Sequence, residues 1–179
     1  MDRQPVLEGE RLLLRPLRPD DWSALFAVAS DPLIWEVHPV PDRWQEPVFR
    51  AFFTDALDQG GAMAIVDKQS GAIIGSSRWQ GHDAEKSIVE IGWTFLARCH
   101  WGGSCNRELK RLMLTHALVW VETVAFCVGE NNFRSRRAME KIGGRLTDRA
   151  EVREMAGSRQ GYVVYEITSE CFASGPLSR

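Results

Sequence analysis

The chain has 179 residues, about one domain's worth, and can bury roughly 70% of its unfolded surface around a full core. With 44% hydrophobic and 26% charged residues its composition is globular rather than disordered. Lys and Arg total 22 against 24 Asp and Glu, a net charge of −2 with a pI near 6.1, so no overall positive field would recruit nucleic acid or an anionic membrane.

In chain order, the first predicted strand is Arg11-Leu12-Leu13-Leu14-Arg15, closed by Pro16. Asp20 or Asp21 then caps a helix in which Trp22, Leu25, Phe26 and Ala29 recur at helical spacing before Pro32. Residues 31–43 hold Pro32, Pro39 and Pro41 with Trp35 and His38, and Trp44 follows; this reads as a loop with at most a short helix. A second helix is predicted from Glu46 to Asp58, ended by Gly60-Gly61. The period then changes: Ala62 to Val66 and Ala72 to Gln80 read as a hairpin, and Ile88 to Leu96 as a further strand. The most strongly patterned helix runs from Asn106 to Glu122, with Leu109, Met113, His116, Ala117 and Trp120 on one stripe. Val124 to Val128 is a short strand, and Asn132 caps a helix reaching Ile142 before Gly143-Gly144. Arg145 to Glu154 and Tyr162 to Thr168 are the last strands, around a turn at Gly157-Ser158.

The order β-α-α-β-β-β-α-β-α-β-β predicts a single α+β domain over residues 1–179. Its central sheet is mixed but mostly antiparallel, flanked by helices, with one βαβ crossover through the Asn106 helix. The longest apolar run is six residues, Ala24 to Ala29, too short to span a bilayer, and the first residues have no apolar signal core. Cys99, Cys105, Cys127 and Cys171 are scattered and fit reduced thiols, so a cytoplasmic location is expected. Cys99, His100 and Cys105 have no Cys-x-x-Cys or His-x-x-x-His support, and no metal is expected.

Two segments carry chemistry. In the first, Val89-Glu90-Ile91-Gly92-Trp93-Thr94-Phe95-Leu96 leads to Trp101-Gly102-Gly103-Ser104-Cys105-Asn106-Arg107-Glu108, directly before a helix. Free N–H groups at a helix N-terminus, reached through small residues, suit an anion. The segment has neither the Lys-Ser/Thr of a Walker loop nor Gly-x-Gly-x-x-Gly. Taken alone, a bare Gly-Gly before a helix reads more readily as an ordinary tight turn. The second segment is Val128 to Gly143, in which a strand is followed by Asn132-Phe133-Arg134-Ser135 at a helix start.

Strand, glycine-containing turn and helix, followed by a strand and Asn-x-x-Ser, resemble the GCN5-related N-acetyltransferase superfamily. The likeness is greatest to the branch that modifies ribosomal-protein N-termini. Glu8 to Leu17 with Asp20-Asp21 is similar to that branch's first strand and helix, Glu90-Ile91-Gly92-Trp93 to its central strand, and Val163 to Ile167 to its last strand. Two features depart from the superfamily pattern, the loop and one residue of the helix that Asn132 caps. Ser104 and Asn106 stand where its loop carries glycine and Gly/Ala, and Met139 stands where many members carry a proton-donating tyrosine.

The resemblance implies acetyl-CoA as co-substrate and a primary amine, either a protein N-terminus or a small molecule, as acceptor. It implies pyrophosphate on the amides of Gly102, Gly103, Ser104, Cys105 and Asn106, and pantetheine along Thr94, Phe95 and Leu96 as an added strand. Asn132 would hold the coenzyme or simply cap its helix. The expected reaction is direct attack of the neutral amine on the thioester, with Glu90 as base and Ser135 as donor to the departing thiolate. Glu90 is equally readable as a charge on a solvent face, and Ser135 as a first-turn serine. Tyr165 is a fallback acid or a core tyrosine. Arg107, Lys110 and Arg134 read as phosphate contacts or a solvated face, and Trp35, His38 and Trp44 as the acceptor wall or a packed lid. The alternative function is a non-catalytic acyl-CoA-binding or regulatory domain. Exposed strand edges allow a homodimer.

Overall fold

Each predicted strand has an apolar side to hide, and the helices between them supply the surfaces that hide it. The computed structural model describes the main chain of residues 1–155 and 158–178. Its elements are β1 (Leu7–Glu8), β2 (Leu12–Pro16), α1 (Trp22–Ala29), α2 (Glu46–Gln59), β3 (Ala62–Asp67), β4 (Ile73–Asp83), β5 (Ile88–Leu96), α3 (Cys105–Ala117), β6 (Thr123–Gly129), α4 (Phe133–Lys141), β7 (Arg145–Met155), β8 (Ser158–Thr168) and α5 (Ser169–Ser174). Among the described residues they form one eight-stranded sheet in the order β1-β2-β3-β4-β5-β6-β8-β7. Every neighbouring pair is antiparallel except β5 and β6, which are parallel and joined through α3. This is the α+β, mostly antiparallel architecture with one crossover that the sequence predicts.

Both faces of the sheet are covered. Leu109, Met113, Leu114 and Ala117 of α3 and Met139 of α4 pack with Leu12, Leu14, Ile65, Val89, Ile91, Phe126 and Tyr165. On the opposite face, Leu25 and Ala29 of α1 and Phe49, Phe53 and Ala56 of α2 pack with Ala62, Ala64 and Phe95. The buried Glu108 carboxylate accepts the main-chain N–H groups of Arg11 (2.9 Å) and Leu12 (3.2 Å), tying the first turn of α3 to the β1–β2 corner. Among the described residues no helix is long and apolar enough to cross a membrane.

Several details differ from the sequence expectation. Asp21 precedes α1 but does not cap it: its carboxylate takes the Arg15 guanidinium (2.7 and 2.8 Å) and the Arg18 N–H (2.9 Å). Helix α3 stops at Ala117 rather than Glu122, leaving Trp120 57% exposed. The chain turns there because Glu122 and Thr123 must donate their N–H groups to Ser87 beside the start of β5. Strand β1 and helix α5 were not anticipated; Thr168 caps α5 by accepting the Cys171 N–H at 3.2 Å. In the expected Gly157-Ser158 turn, Gly157 lies outside the described residues, and Ser158 opens β8.

The feature that positions a site lies at the sheet's centre. Strands β5 and β6 pair only from Ile88↔Thr123 to Glu90↔Ala125 and then part. On its other side, β5 bulges against β4: the register passes from Arg78↔Gly92 to Ser76↔Phe95, and Trp93 takes a left-handed φ of 53°. That conformation is costly for a bulky residue and aims the second half of β5 away from β6.

Candidate functional site

Where β5 and β6 part, a cleft of about 790 Å³ opens. Thr94, Phe95 and Leu96 of β5 form one wall, Gly102, Gly103 and Asn106 the approach to α3, and Asn132 and Ser135 the start of α4. Trp35 and His38, from the loop between α1 and α2, close a further side. The fold thus gathers most of the coenzyme residues inferred from sequence into one wall system, though they are far apart along the chain.

At the start of α3, the main-chain N–H groups from Gly102 to Arg107 have no hydrogen-bond partner among the described residues; the helix ladder begins with Glu108 N–H to Ser104 carbonyl at 2.9 Å. A row of free donors at a helix N-terminus is an anion cradle. The left-handed residue of this loop is Gly102, at φ 72°, whereas Ser104 sits at φ −81° in ordinary right-handed geometry. The serine therefore imposes no strain where the sequence departs from the superfamily pattern. Ser104 and Cys105 do not line the cleft with their side chains. The Ser104 hydroxyl accepts from Arg11 Nη1 (3.1 Å), and the buried Cys105 Sγ lies 3.6 Å from His100 Nδ1. Only their amides are available to a ligand. The Leu96 carbonyl is already taken by Trp101 Nε1 at 2.9 Å.

Asn132 caps α4, its Oδ1 accepting the Ser135 N–H at 3.1 Å, which fixes the Ser135 side chain at the cleft. Glu90 lies outside that lining. It faces Arg153 of β7 in a two-bonded pair (2.9 and 3.2 Å) beside Cys127. Burial next to Glu90 pushes the Cys127 thiol up to about 12, which disqualifies it as a nucleophile. Tyr165 is a core residue: its hydroxyl accepts from Arg136 Nε (3.3 Å) and reaches Glu140 Oε1 (3.5 Å) under α4.

The three cations separate. Arg134 spans the cleft mouth, its guanidinium 4.3 Å over the Trp101 ring and its Nη2 donating to the Ile34 carbonyl. Arg107 donates to the Pro176 carbonyl. Lys110 is neither a phosphate contact nor a solvated charge. It is buried, its Nζ donates to Thr94 Oγ1 at 2.7 Å, and burial lowers its pKa to about 7. Thr94 in turn meets Ser77 Oγ at 2.7 Å. The signal was present, since Lys110 stands three and four residues before Met113 and Leu114, on the edge of the apolar stripe. Arg43 carries no such signal. It is buried against the Trp35 and Phe52 rings, whereas an arginine in a proline-rich loop reads as solvated. Trp44 is exposed and outside the cleft. Among the described residues no cluster of three or more His, Cys, Asp or Glu is placed to hold a metal ion.

Residues 11–145 match the family described as "Acetyltransferase (GNAT) domain". Among solved structures, one described as an acetyltransferase is 27% identical, covering 94% of this chain and 89% of the other at a TM-score of 0.80. An acetyltransferase from T. thermophilus is also 27% identical, covering 97% and 95% at 0.78. The spermidine N-acetyltransferase from Vibrio cholerae, solved with CoA and spermine, shares the fold at 16% identity, covering 92% and 99% at 0.66.

Proposed function

We propose that this chain, which belongs to the GNAT acetyltransferase domain family, moves the acetyl group of acetyl-CoA to a primary amine by direct attack on the thioester. The observation that carries the reading is the wedge between β5 and β6 leading to the unpartnered N–H row of Gly102 to Arg107. A thin chain bearing amides fits between parted strands, and a doubly charged phosphate group fits a helix N-terminus. A fold neighbour solved with CoA and spermine supports the same ligand class.

In this reading the amides of Gly102, Gly103, Ser104, Cys105 and Asn106 hold the pyrophosphate. The β5 edge from Thr94 to Phe95 orders the arm, and Asn132 fixes the first turn of α4. Ser135 donates a proton to the departing sulfur. Glu90, on the acceptor side, draws the ammonium proton through water, and its engagement by Arg153 suits an amine that ionises easily, such as an α-amino group near pKa ~8. As the N–C bond forms the C–S bond breaks. An ammonium acceptor gives up two protons and the sulfur takes one, so one proton is released per acetyl moved. Both a protein N-terminus and a small-molecule amine satisfy this chemistry.

The reading is tested by thermal unfolding with and without acetyl-CoA, followed by thiol release with an amine panel. Ligand at about 100-fold over its Kd raises stability by ~2.7 kcal/mol, roughly 5–10 °C in Tm. An upshift without thiol release from any amine favours the non-catalytic binding domain; no upshift removes the coenzyme.

A further inference from the structure

The loop between α1 and α2 returns over the open end of β6. Pro39 rests so closely on Gly129 that a Cβ there would stand 2.6 Å from the proline Cγ. This brings His38 into the cleft wall with Arg43 in contact behind it. Arg43 is only 5% exposed, lies over the rings of Phe52 (4.6 Å) and Trp35 (5.2 Å), and has no carboxylate partner among the described residues. Its Nη1 stands 3.3 Å from His38 Nε2.

The chemistry of that contact is unusual. His38 Nδ1 accepts the Val40 N–H at 2.9 Å, so the proton of the neutral ring is on Nε2. The ring is neutral because burial beside Arg43 holds its pKa at about 3. Two donors, a guanidinium N–H and an imidazole N–H, therefore face each other with no acceptor to share. Arg78, 1% exposed and also over Phe52 and Trp93, adds to the imbalance. Its Nη1 serves Asp55 (2.8 Å) and Gln80 (3.1 Å), while Nε and Nη2 have no partner among the described residues. Buried donors left unmade are costly, and an anionic oxygen is what would satisfy them.

We propose that the amine acetylated here carries a carboxylate, which meets His38 Nε2–H in the cleft wall and Arg43 Nη1 directly behind it, while the amine faces Thr94 and Ser135 across the cleft. The proposal rests on the acetyltransferase reading and narrows it. The acceptor is a small amino acid whose own carboxyl is free. A polyamine would bring only positive charge to Arg43 and Arg78, and a peptide N-terminus offers an amide where the carboxylate would sit.

The test compares L-amino acids with their C-terminal amides, which share side chain and amine and differ in the charge. With acetyl-CoA and the wild-type protein, the best acid should exceed its amide at least tenfold in kcat/KM. In Arg43→Gln and His38→Gln that ratio should fall toward one. Amides equal to or better than acids, or peptides or polyamines preferred over free acids, overturn the proposal. If acetyl-CoA raises Tm but no acceptor is turned over, calorimetric titration of the same pairs into the CoA-bound protein decides: tighter acid binding supports the subsite, and equal or absent binding overturns it. Loss of the acetyl-CoA upshift in wild type is the separate failure of the acetyltransferase reading. The acid–amide comparison uses the native protein, so it stands even where a variant does not fold.

Discussion

Lys110 and Thr94 meet at 2.7 Å inside the wedge, an α3 amine against a β5 hydroxyl at the point where the cleft begins. The contact gives the buried nitrogen one good acceptor but no counter-charge. Burial alone drives its lowered pKa.

A pH dependence of stability follows from that pair. The Lys110 pKa falls from 10.5 to about 7 on folding. Between those values the unfolded chain holds more protons than the folded one, so this group makes stability rise with pH from about 7 to about 10. Below pH 7 its whole penalty is present, with an upper limit on the order of 5 kcal/mol. Lys110→Met should raise the unfolding free energy at pH 7 and flatten the slope above it. Denaturant titrations at pH 6, 7, 8.5 and 9.5 read both, and an unchanged slope contradicts the buried amine.

The anion cradle makes unequal demands on its small residues. Gly102 is left-handed, so Gly102→Ala should strain the loop by about 1 kcal/mol and weaken acetyl-CoA binding. Ser104→Gly should bring no gain in affinity, because Ser104 already has right-handed geometry. Calorimetric titration of CoA into both variants distinguishes them. Tighter binding by Ser104→Gly would show that the serine impairs the loop.

Gly129→Ala places a methyl group against Pro39 and should push the loop off β6. The expected result is a raised KM for the acceptor with the acetyl-CoA upshift retained, since the N–H row of Gly102 to Arg107 is built by a different segment of the chain. Steady-state kinetics with both substrates varied separates the two effects. A change confined to acetyl-CoA would place the loop's role elsewhere.

Asn132→Ala removes the cap on the Ser135 N–H and should cost about 1 kcal/mol of stability. Ser135→Ala leaves that cap in place and should lower kcat by about 10- to 100-fold with little change in Tm. Chemical denaturation beside single-turnover kinetics checks both, and a fully active Ser135→Ala would remove the serine from proton donation.

Glu90→Gln leaves Arg153 to Glu151, at 2.8 Å. If Glu90 draws the ammonium proton, the variant's loss in kcat/KM should be largest near neutral pH and shrink as pH approaches the acceptor's own pKa. A loss constant across pH 6–9 would instead mark Glu90 as a purely structural partner of Arg153.

The element order, the crossover and the chemical loops were written in local pattern. Alternation marks strands, the 3.6-residue stripe marks α3, and Asn132 with Gly143-Gly144 brackets α4, because these signals act over a few residues along the chain. The same local logic marks Gly102 to Asn106 and the Asn132–Ser135 turn as candidates, and the fold brings Gly102, Gly103, Asn106, Asn132 and Ser135 to one cleft. It could not end α3 at Ala117, since the stop is imposed by Ser87, some thirty positions earlier. Nor could it decide which charges are dry. Lys110 turns into the wedge, Arg43 beneath the aromatic loop, and Glu90 toward Arg153, because packing of β5, α3, α2 and β7 removes water from those particular side chains. Periodicity reports which way a side chain points from its own element. Solvation and pairing depend on what the rest of the chain brings against it, and only the tertiary structure supplies that.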